Sequence, residues 1–98
     1  MPRVYKYAVP YSRTDEFELT LPLWARILSV GIQPKDDGSM RWEEIVLWAE
    51  VKESERTEIR RFIAVNTGND YTNKPTKFIG TVTARTGVVW HLFELVKS

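Results

Sequence analysis

Hydrophobic and polar residues alternate with a period of two along most of this chain. The clearest run is Glu16–Leu21, in which Phe17, Leu19 and Leu21 alternate with polar residues. Successive side chains of a β-strand point to opposite faces, so this run predicts a strand with one buried and one solvated face. Six further segments, rich in β-branched and aromatic residues, are also predicted to be strands: Val4–Val9, Ala25–Ile32, Ile45–Val51, Ile59–Thr67, Lys77–Arg85 and Val88–Val96.

The segment Ile45–Val51 fits a helix in part and a strand in full. Some of its apolar residues share a helical stripe with Trp42, but Leu47 and Trp48 do not. As a strand it carries apolar side chains on both faces, which is typical of a buried central strand. We therefore predict a central strand there. The one helical turn is assigned to Ser54–Arg60, where a serine can cap good helix formers.

Proline and glycine divide the chain into short pieces. The predicted turns lie at Pro10–Thr14, Pro34–Ser39, Asn69–Pro75 and Thr86–Gly87, and the last joins two strands as a hairpin. Seven short strands in 98 residues predict a mainly β fold. We expect a small antiparallel β-sandwich or barrel of about seven strands with at most one short helix. No repeat or linker interrupts residues 1–98, which are predicted to form a single β-rich domain with Trp48 and Trp90 in its core.

Composition excludes several classes of protein. Hydrophobic residues are 43% and charged residues 28%, the balance of an ordinary folded domain. Lysine and arginine total 14 against 13 aspartate and glutamate, so the net charge of +1 argues against a dedicated duplex-DNA binder. The chain has no cysteine, which excludes disulfides, thiolate zinc sites and cysteine nucleophiles.

The chain is expected to be cytoplasmic, with no membrane partner. Its longest apolar runs, Leu21–Ala25 and Ile45–Ala49, are far shorter than the roughly 20 residues that span a bilayer. Met1–Tyr11 is not a secretory signal, because Lys6 interrupts its only apolar stretch.

Catalytic and metal chemistry find little support in the sequence. His91 is the single histidine, and without a second histidine or a cysteine it cannot belong to a His-rich metal cluster. We interpret it as a strand histidine whose ring nitrogens are satisfied by neighbours. Asp36-Asp37-Gly38 lacks the alternating acidic positions of a calcium loop and is interpreted as a solvated turn. We expect no catalytic residue, no metal and no cofactor, and therefore no enzyme.

Three arginines form the first candidate binding group. Arg56, Arg60 and Arg61 lie close together, with Glu55 and Glu58 among them. They form either a salt-bridged surface or an anchor for a phosphate or carboxylate, both of which match the guanidinium fork. If this stretch is extended, Arg60 and Arg61 point to opposite faces.

A polar loop and two tryptophans complete the candidates. Asn66, Thr67, Gly68 and Asn69 open the loop, whose amides are able to cup an anion, although such residues are also typical of plain turns. Trp24 and Trp42 lie near predicted turns and close to an arginine each. Exposed tryptophan beside arginine is typical of a surface that binds a protein partner.

Several short strings together resemble one known family. They are Val4-Tyr5-Lys6-Tyr7, Leu21-Pro22, Ala25-Arg26-Ile27-Leu28-Ser29-Val30, Leu47-Trp48-Ala49-Glu50-Val51, Arg60-Arg61-Phe62, Thr67-Gly68, Phe78-Ile79-Gly80-Thr81-Val82, Val89-Trp90-His91 and Phe93-Glu94. In these strings the chain is similar to a family of small, uncharacterised domains from bacteriophages, prophages and their bacterial hosts. The resemblance covers nearly the whole chain. It implies a phage context in the host cell cytoplasm, and it supplies no catalytic residue.

Three functions remain open from the sequence. The first is a non-enzymatic phage or prophage accessory protein that acts by binding a host or phage protein. The second is a binder, or sponge, of a small anionic ligand or nucleotide, which the arginines and the polar loop favour. The third is a virion structural subunit, a homo-oligomer assembled through strand edges at Val4–Val9 or Val88–Val96.

Overall fold

The described part of the chain forms seven β-strands, as the alternating pattern predicts. The computed structural model describes residues 2–9, 16–34, 43–52, 56–68, 74 and 76–96. The strands are β1 (Arg3–Ala8), β2 (Glu16–Pro22), β3 (Arg26–Pro34), β4 (Glu43–Val51), β5 (Thr57–Asn66), β6 (Thr76–Thr83) and β7 (Val89–Leu95). None of these described segments is a helix, so none is a helix able to cross a membrane. Of the turns predicted at 10–14, 34–39 and 69–75, the structure describes only Pro34, which ends β3, and Lys74.

The strands form two antiparallel sheets. The first has the order β1-β4-β3 and the second the order β2-β5-β7-β6. Strand β4 is central, as predicted, and β1 is an edge. The prediction that Val88–Val96 forms an edge is wrong, because β7 pairs with β5 on one side and with β6 on the other. On one face of β7 Leu92 is fully buried, and on the other Phe93 contacts Phe78 at 5.5 Å between ring centres.

The core lies between the two sheets. Its largest fully buried side chains include Leu21, Leu47, Phe62 and Leu92, which come from β2, β4, β5 and β7. Phe17 stacks on Phe62 with ring centroids 5.5 Å apart. The predicted small β-sandwich is therefore confirmed: each sheet contributes one apolar face to a shared core.

The prediction that Trp48 lies in the core is wrong, because this residue is on the outer face of the first sheet. Trp48 is only half-buried and lies outside the core cluster, on the face opposite the buried Leu47. It packs over Gly31 of the neighbouring strand, where an added Cβ would lie 2.7 Å from the indole ring. The Trp48 ring is therefore covered by residues of its own sheet and not by the second sheet. Trp90 is also partly buried, but it packs against the core.

The prediction of a helical turn at Ser54–Arg60 is wrong from Thr57 onward, where the chain is a strand. Thr57–Arg60 begins β5 and pairs with β2 in the register Pro22↔Thr57 and Leu21↔Glu58. Ser54 lies outside the described residues. Pairing with β2 satisfies the backbone of this segment, and that tertiary contribution outweighs the helix propensity of its glutamate and arginines.

Candidate functional site

A strained turn displays Trp24 at one end of the sandwich. The Ala25 amide donates a hydrogen bond to the Pro22 carbonyl at 3.1 Å, which closes a four-residue turn between β2 and β3. Trp24, its third residue, has a φ of 69°, and its side chain is 84% exposed. Turns with positive φ at this position normally use glycine or asparagine, because a Cβ clashes there. The conformation costs on the order of 1–3 kcal/mol.

Two further contacts fix this turn to the second sheet. The Leu23 amide donates to the Arg56 carbonyl at 3.0 Å. The Arg60 guanidinium donates from Nη1 to the Ala25 carbonyl, and it donates to both carboxylate oxygens of Glu94, at 2.6 Å from Nε and 2.7 Å from Nη2. The turn is thereby tied to β5, and through Arg60 to β7.

Arg60 and Glu94 are charged residues on inner strand faces. Arg60 precedes the core residue Phe62 by two positions on β5, and Glu94 follows the core residue Leu92 by two on β7. Their side chains are only 14% and 17% exposed. The hydrogen bonds that Arg60 donates to Glu94 raise the pKa of the guanidinium above its ordinary value, although burial alone would lower it. The bidentate pair allows two charges to cap this end of the core.

Exposed apolar side chains surround this ion pair. An open groove of about 900 Å³ is lined in part by Trp24, Ile59 and Val96, and a smaller one of about 350 Å³ by Leu28 and Phe78. The two grooves share Ala25, Arg60, Lys77 and Glu94, so they meet at the ion pair. We call these five exposed apolar residues and the Arg60–Glu94 pair the sandwich-end surface.

The predicted arginine group does not form one cationic pair. Arg60 faces inward to Glu94, whereas Arg61 faces outward and lies 3.4 Å from its cross-strand neighbour Glu18. Opposite orientations follow from the extended backbone, as the sequence predicts for a strand. Arg56 precedes β5, and its carbonyl holds the Trp24 turn.

The predicted polar loop lies at the other end of β5. The Thr67 amide donates to the Val89 carbonyl at 3.2 Å, and Gly68 has a φ of 91°. Arg61 and Asn66 are five residues apart on this strand, which corresponds to about 17 Å. The structure therefore does not bring the arginines and this loop together. Asn69, like Trp42, lies outside the described residues.

His91 is held between two threonine hydroxyls on the outer face of the second sheet. Its Nε2 lies 2.7 Å from Thr67 Oγ1, and its Nδ1 lies 2.9 Å from Thr81 Oγ1. Both ring nitrogens thus have partners, which confirms the interpretation of a satisfied strand histidine. Across the described parts of the chain, no group of three or more acidic residues and histidines is placed to hold a metal ion.

Sequence reasoning missed five residues of this surface: Leu28, Ile59, Phe78, Glu94 and Val96. A signal for Glu94 was present in the alternating pattern. Glu94 follows Trp90 and Leu92 at a spacing of two, and Arg60 stands at the same spacing from Phe62. A charged residue at an apolar position of two strands indicates an ion pair at the end of a core.

Comparison with known proteins gives a family and no activity. No curated protein and no solved structure is significantly similar to the chain. One family model, described as a domain of unknown function (DUF7352), matches residues 1–98. Because the match covers the whole chain, this protein belongs to that family.

Proposed function

We propose that this chain is a non-enzymatic accessory protein of a phage or prophage, which binds a host or phage protein in the host cytoplasm through the sandwich-end surface. The observation that carries the proposal is Trp24, which is 84% exposed in a left-handed backbone conformation. Its indole gains little burial within this chain to offset the strain of the turn. Burial against a partner would supply that gain, and strained residues of this kind cluster at functional sites.

The surroundings of Trp24 support the same proposal. Of the eight large apolar side chains that are exposed among the described residues, five belong to the sandwich-end surface. Apolar side chains scattered singly are normal on a protein surface, whereas clustered ones are typical of binding sites. Tryptophan beside arginine is also the combination that protein interfaces enrich.

A small anionic ligand or nucleotide is the second candidate. The groove of about 900 Å³ has the size of a ligand pocket, and Arg61, Lys74 and Lys77 contribute to its lining. Glu18 and Glu58 line it as well, and Arg60 is committed to Glu94. This balance of charge favours a protein partner over a free anion. A virion subunit, the third candidate, draws support from β1, an edge strand that is exposed at five of its six residues.

The test compares two tagged variants with the wild type in pull-downs from host lysate at near-physiological salt. Trp24→Asn removes the indole and keeps a residue that tolerates the turn. Val88→Asn is the matched control, since Val88 is an exposed apolar residue in the β6–β7 hairpin, away from both grooves.

Quantitative mass spectrometry of the captured proteins gives the result. We expect at least one partner that the wild type and Val88→Asn retain equally and that Trp24→Asn loses by tenfold or more. Identical profiles for the three proteins would overturn the proposal. A thermal-shift panel of nucleotides distinguishes the second candidate, because a ligand at about 100 times its Kd adds roughly 2.7 kcal/mol of stability.

A further inference from the structure

The two sheets meet through β3 and β6 along one side of the sandwich. These strands belong to different sheets and lie side by side, and among the described residues they share no hydrogen-bonded ladder. At Gly80 an added Cβ would lie 2.7 Å from Cγ1 of Val30, so the two strands are in close contact at this point. We call the boundary between β3 and β6 the seam.

Both strands of the seam have a β-bulge shortly before that contact. The β3–β4 register shifts by one residue at Leu28. The β6–β7 register shifts by one residue at Ile79. A bulge bends its strand, and bulges are common next to binding sites. Both bulge residues line the smaller groove of about 350 Å³, which therefore lies in the seam where the two facing strands bend.

Positive charge is in excess among the described residues that line this groove. They include three cations, Arg26, Arg60 and Lys77, and one carboxylate, Glu94. Arg60 binds both oxygens of Glu94 at 2.6 and 2.7 Å, so these two charges offset each other. Arg26 lies 3.3 Å from Glu50, but its side chain is 69% exposed, and ion pairs at such positions are weak. The groove therefore favours an occupant with a negative charge.

Lys77 is the cation best placed to bind that charge. In the β6–β7 register it lies opposite Glu94, whose two oxygens are already bound by Arg60. No ion pair of Lys77 is found among the described residues, and the residue is exposed. The groove thus offers an ammonium group whose cross-strand carboxylate is taken.

An exposed apolar side chain from each strand accompanies this ammonium group. Leu28 of β3 is 42% exposed and Phe78 of β6 is 57% exposed, and both line the groove. A free inorganic anion would leave these two side chains in water, whereas an acidic residue with an apolar neighbour would cover them. The volume of the groove is at the lower end of the range for ligand sites, which suits one or two side chains.

We propose that the smaller groove receives an acidic side chain of the protein partner, which pairs with Lys77, while a neighbouring apolar side chain of that partner packs against Leu28 and Phe78. The inference rests on the proposed function and specifies the chemistry of its partner. Burial of the apolar side chain supplies affinity, and the charge pair supplies specificity.

The probe is a random library of seven-residue peptides selected on the full chain. We expect the selected peptides to share an acidic residue within two positions of an apolar one. The tightest peptide is resynthesised, then remade with its acidic residue replaced by the corresponding amide. Both peptides are titrated against the wild type, Lys77→Gln and the control Lys52→Gln. Lys52 is an exposed lysine that follows β4 and lines neither groove.

The comparison of the two peptides shows whether Lys77 is the partner of the acidic residue. The wild type and Lys52→Gln are expected to bind the amide peptide at least tenfold more weakly than the acidic one. On Lys77→Gln the two peptides are expected to bind within twofold of each other, because the acidic residue has lost its partner. Circular dichroism of each variant checks that it is folded.

A second pair of variants tests the apolar contact. Leu28→Asn is expected to weaken binding of the acidic peptide by fivefold or more. Val88→Asn is the matched control, since Val88 is also 42% exposed and lines neither groove, and it is expected to stay within twofold of the wild type.

Several results would overturn the inference, and they separate it from the proposed function. It fails if no acidic residue is selected, if the acidic residue contributes equally on Lys77→Gln, or if Leu28→Asn binds as the wild type does. It also fails if inorganic phosphate binds as tightly as the peptide and Lys77→Gln removes that binding, because the occupant is then a free anion. If lysate capture still depends on Trp24, the proposed function survives each of these failures.

Discussion

Trp24 occupies a backbone conformation that glycine adopts more readily, and the turn around it has several independent anchors. The Ala25 amide, the Leu23 amide and the Arg60 guanidinium each hold part of the turn in place. A conformation that is fixed from several sides persists even when one residue in it is unfavourable. The turn thus lowers the free energy of unfolding, and the side chain that it positions, Trp24, faces solvent.

Replacing Trp24 with glycine is expected to stabilise the free protein. Relief of the left-handed strain outweighs the added flexibility of the unfolded chain, and the net gain is about 1 kcal/mol. For a domain of this size that raises Tm by about 4–8 °C. Trp24→Ala is the control, because it removes the indole and retains a Cβ at positive φ. Calorimetry that finds the two variants equally stable would contradict the assignment of strain to this residue.

The Arg60–Glu94 pair is expected to behave as a buried ion pair. Glu94→Gln leaves the guanidinium charged where its side chain is 14% exposed, so we expect a loss of about 2–3 kcal/mol, below the 3–5 kcal/mol of fully buried pairs. Glu18→Gln is the matched control, since the Arg61–Glu18 pair is largely exposed and contributes at most about 1 kcal/mol.

Urea denaturation of both variants measures these differences. The double variant Arg60→Leu, Glu94→Leu is expected to be more stable than Glu94→Gln, because no unpaired charge remains buried. If the double variant loses as much stability as Arg60→Leu and Glu94→Leu do together when each is made alone, the two residues are not coupled.

Individual residues of the site were predicted in part. Trp24 was selected because of its position near a turn and beside Arg26, but Arg26 pairs with Glu50 in the first sheet at 3.3 Å. The guanidinium that holds the Trp24 turn is Arg60, which is 36 positions further along the chain. Sequence proximity does not indicate such a partner. The positive φ of Trp24 also leaves no mark in the sequence, because tryptophan is not a residue that predicts it.

Among the elements, strands are the best predicted feature and pairing the least. Every predicted strand begins and ends within two residues of the observed one, since alternation reports burial directly. The helical turn at Ser54–Arg60 fails where the structure describes it, because pairing with β2 is a tertiary effect. The central place of β7 was missed for the same reason: neighbours across a sheet are set by topology, and a single strand's pattern does not identify them.

The contact between β3 and β4 predicts a strict requirement for glycine. A Cβ at Gly31 would lie 2.7 and 2.9 Å from two ring atoms of Trp48, and a ring cannot yield as a flexible chain does. Gly31→Ala is expected to cost about 1–3 kcal/mol through overpacking. Ser29→Ala, an exposed position on the same strand, is the control and is expected to stay within about 0.5 kcal/mol.

A second substitution shows whether the ring is the cause. In the background of Trp48→Val the Gly31→Ala replacement is expected to cost less than about 0.5 kcal/mol, because its steric partner is gone. Denaturant unfolding measures both costs. If Gly31→Ala costs the same in the two backgrounds, the Trp48 ring is not the cause of its destabilisation.

At the scale of the whole molecule, Tyr7 on the inner face of edge strand β1 makes the free energy of unfolding depend on pH in the alkaline range. Tyr7 is partly buried against the core, and burial, with a smaller contribution from Tyr5, raises the pKa of its phenol above 10.0. The folded state therefore holds this proton more tightly than the unfolded state. The resulting contribution is complete below about pH 10 and falls as the pH rises from there toward the folded pKa.

Tyr7→Phe removes this titration and keeps the ring. We expect the stability difference between the wild type and Tyr7→Phe to be constant from pH 7 to about 9.5 and then to move in favour of the variant. Lysines titrate in both proteins, so the difference isolates the phenol. A difference that stays flat to pH 11 would show that Tyr7 is not desolvated in solution.

The order of pairing also determines how this chain reaches its fold. Among the described strands, β3–β4 and β6–β7 are the pairs that are consecutive in the sequence, whereas β1 pairs with the later β4 and β2 with the later β5. Arg3 pairs with Val51, which lies 48 positions further along the chain, so β1 is made well before its partner strand β4. Contacts this distant in sequence slow folding, typically to milliseconds or seconds. During synthesis, β1 therefore remains unpaired until β4 has been made, and for that time its backbone is open to chaperones and to neighbouring chains.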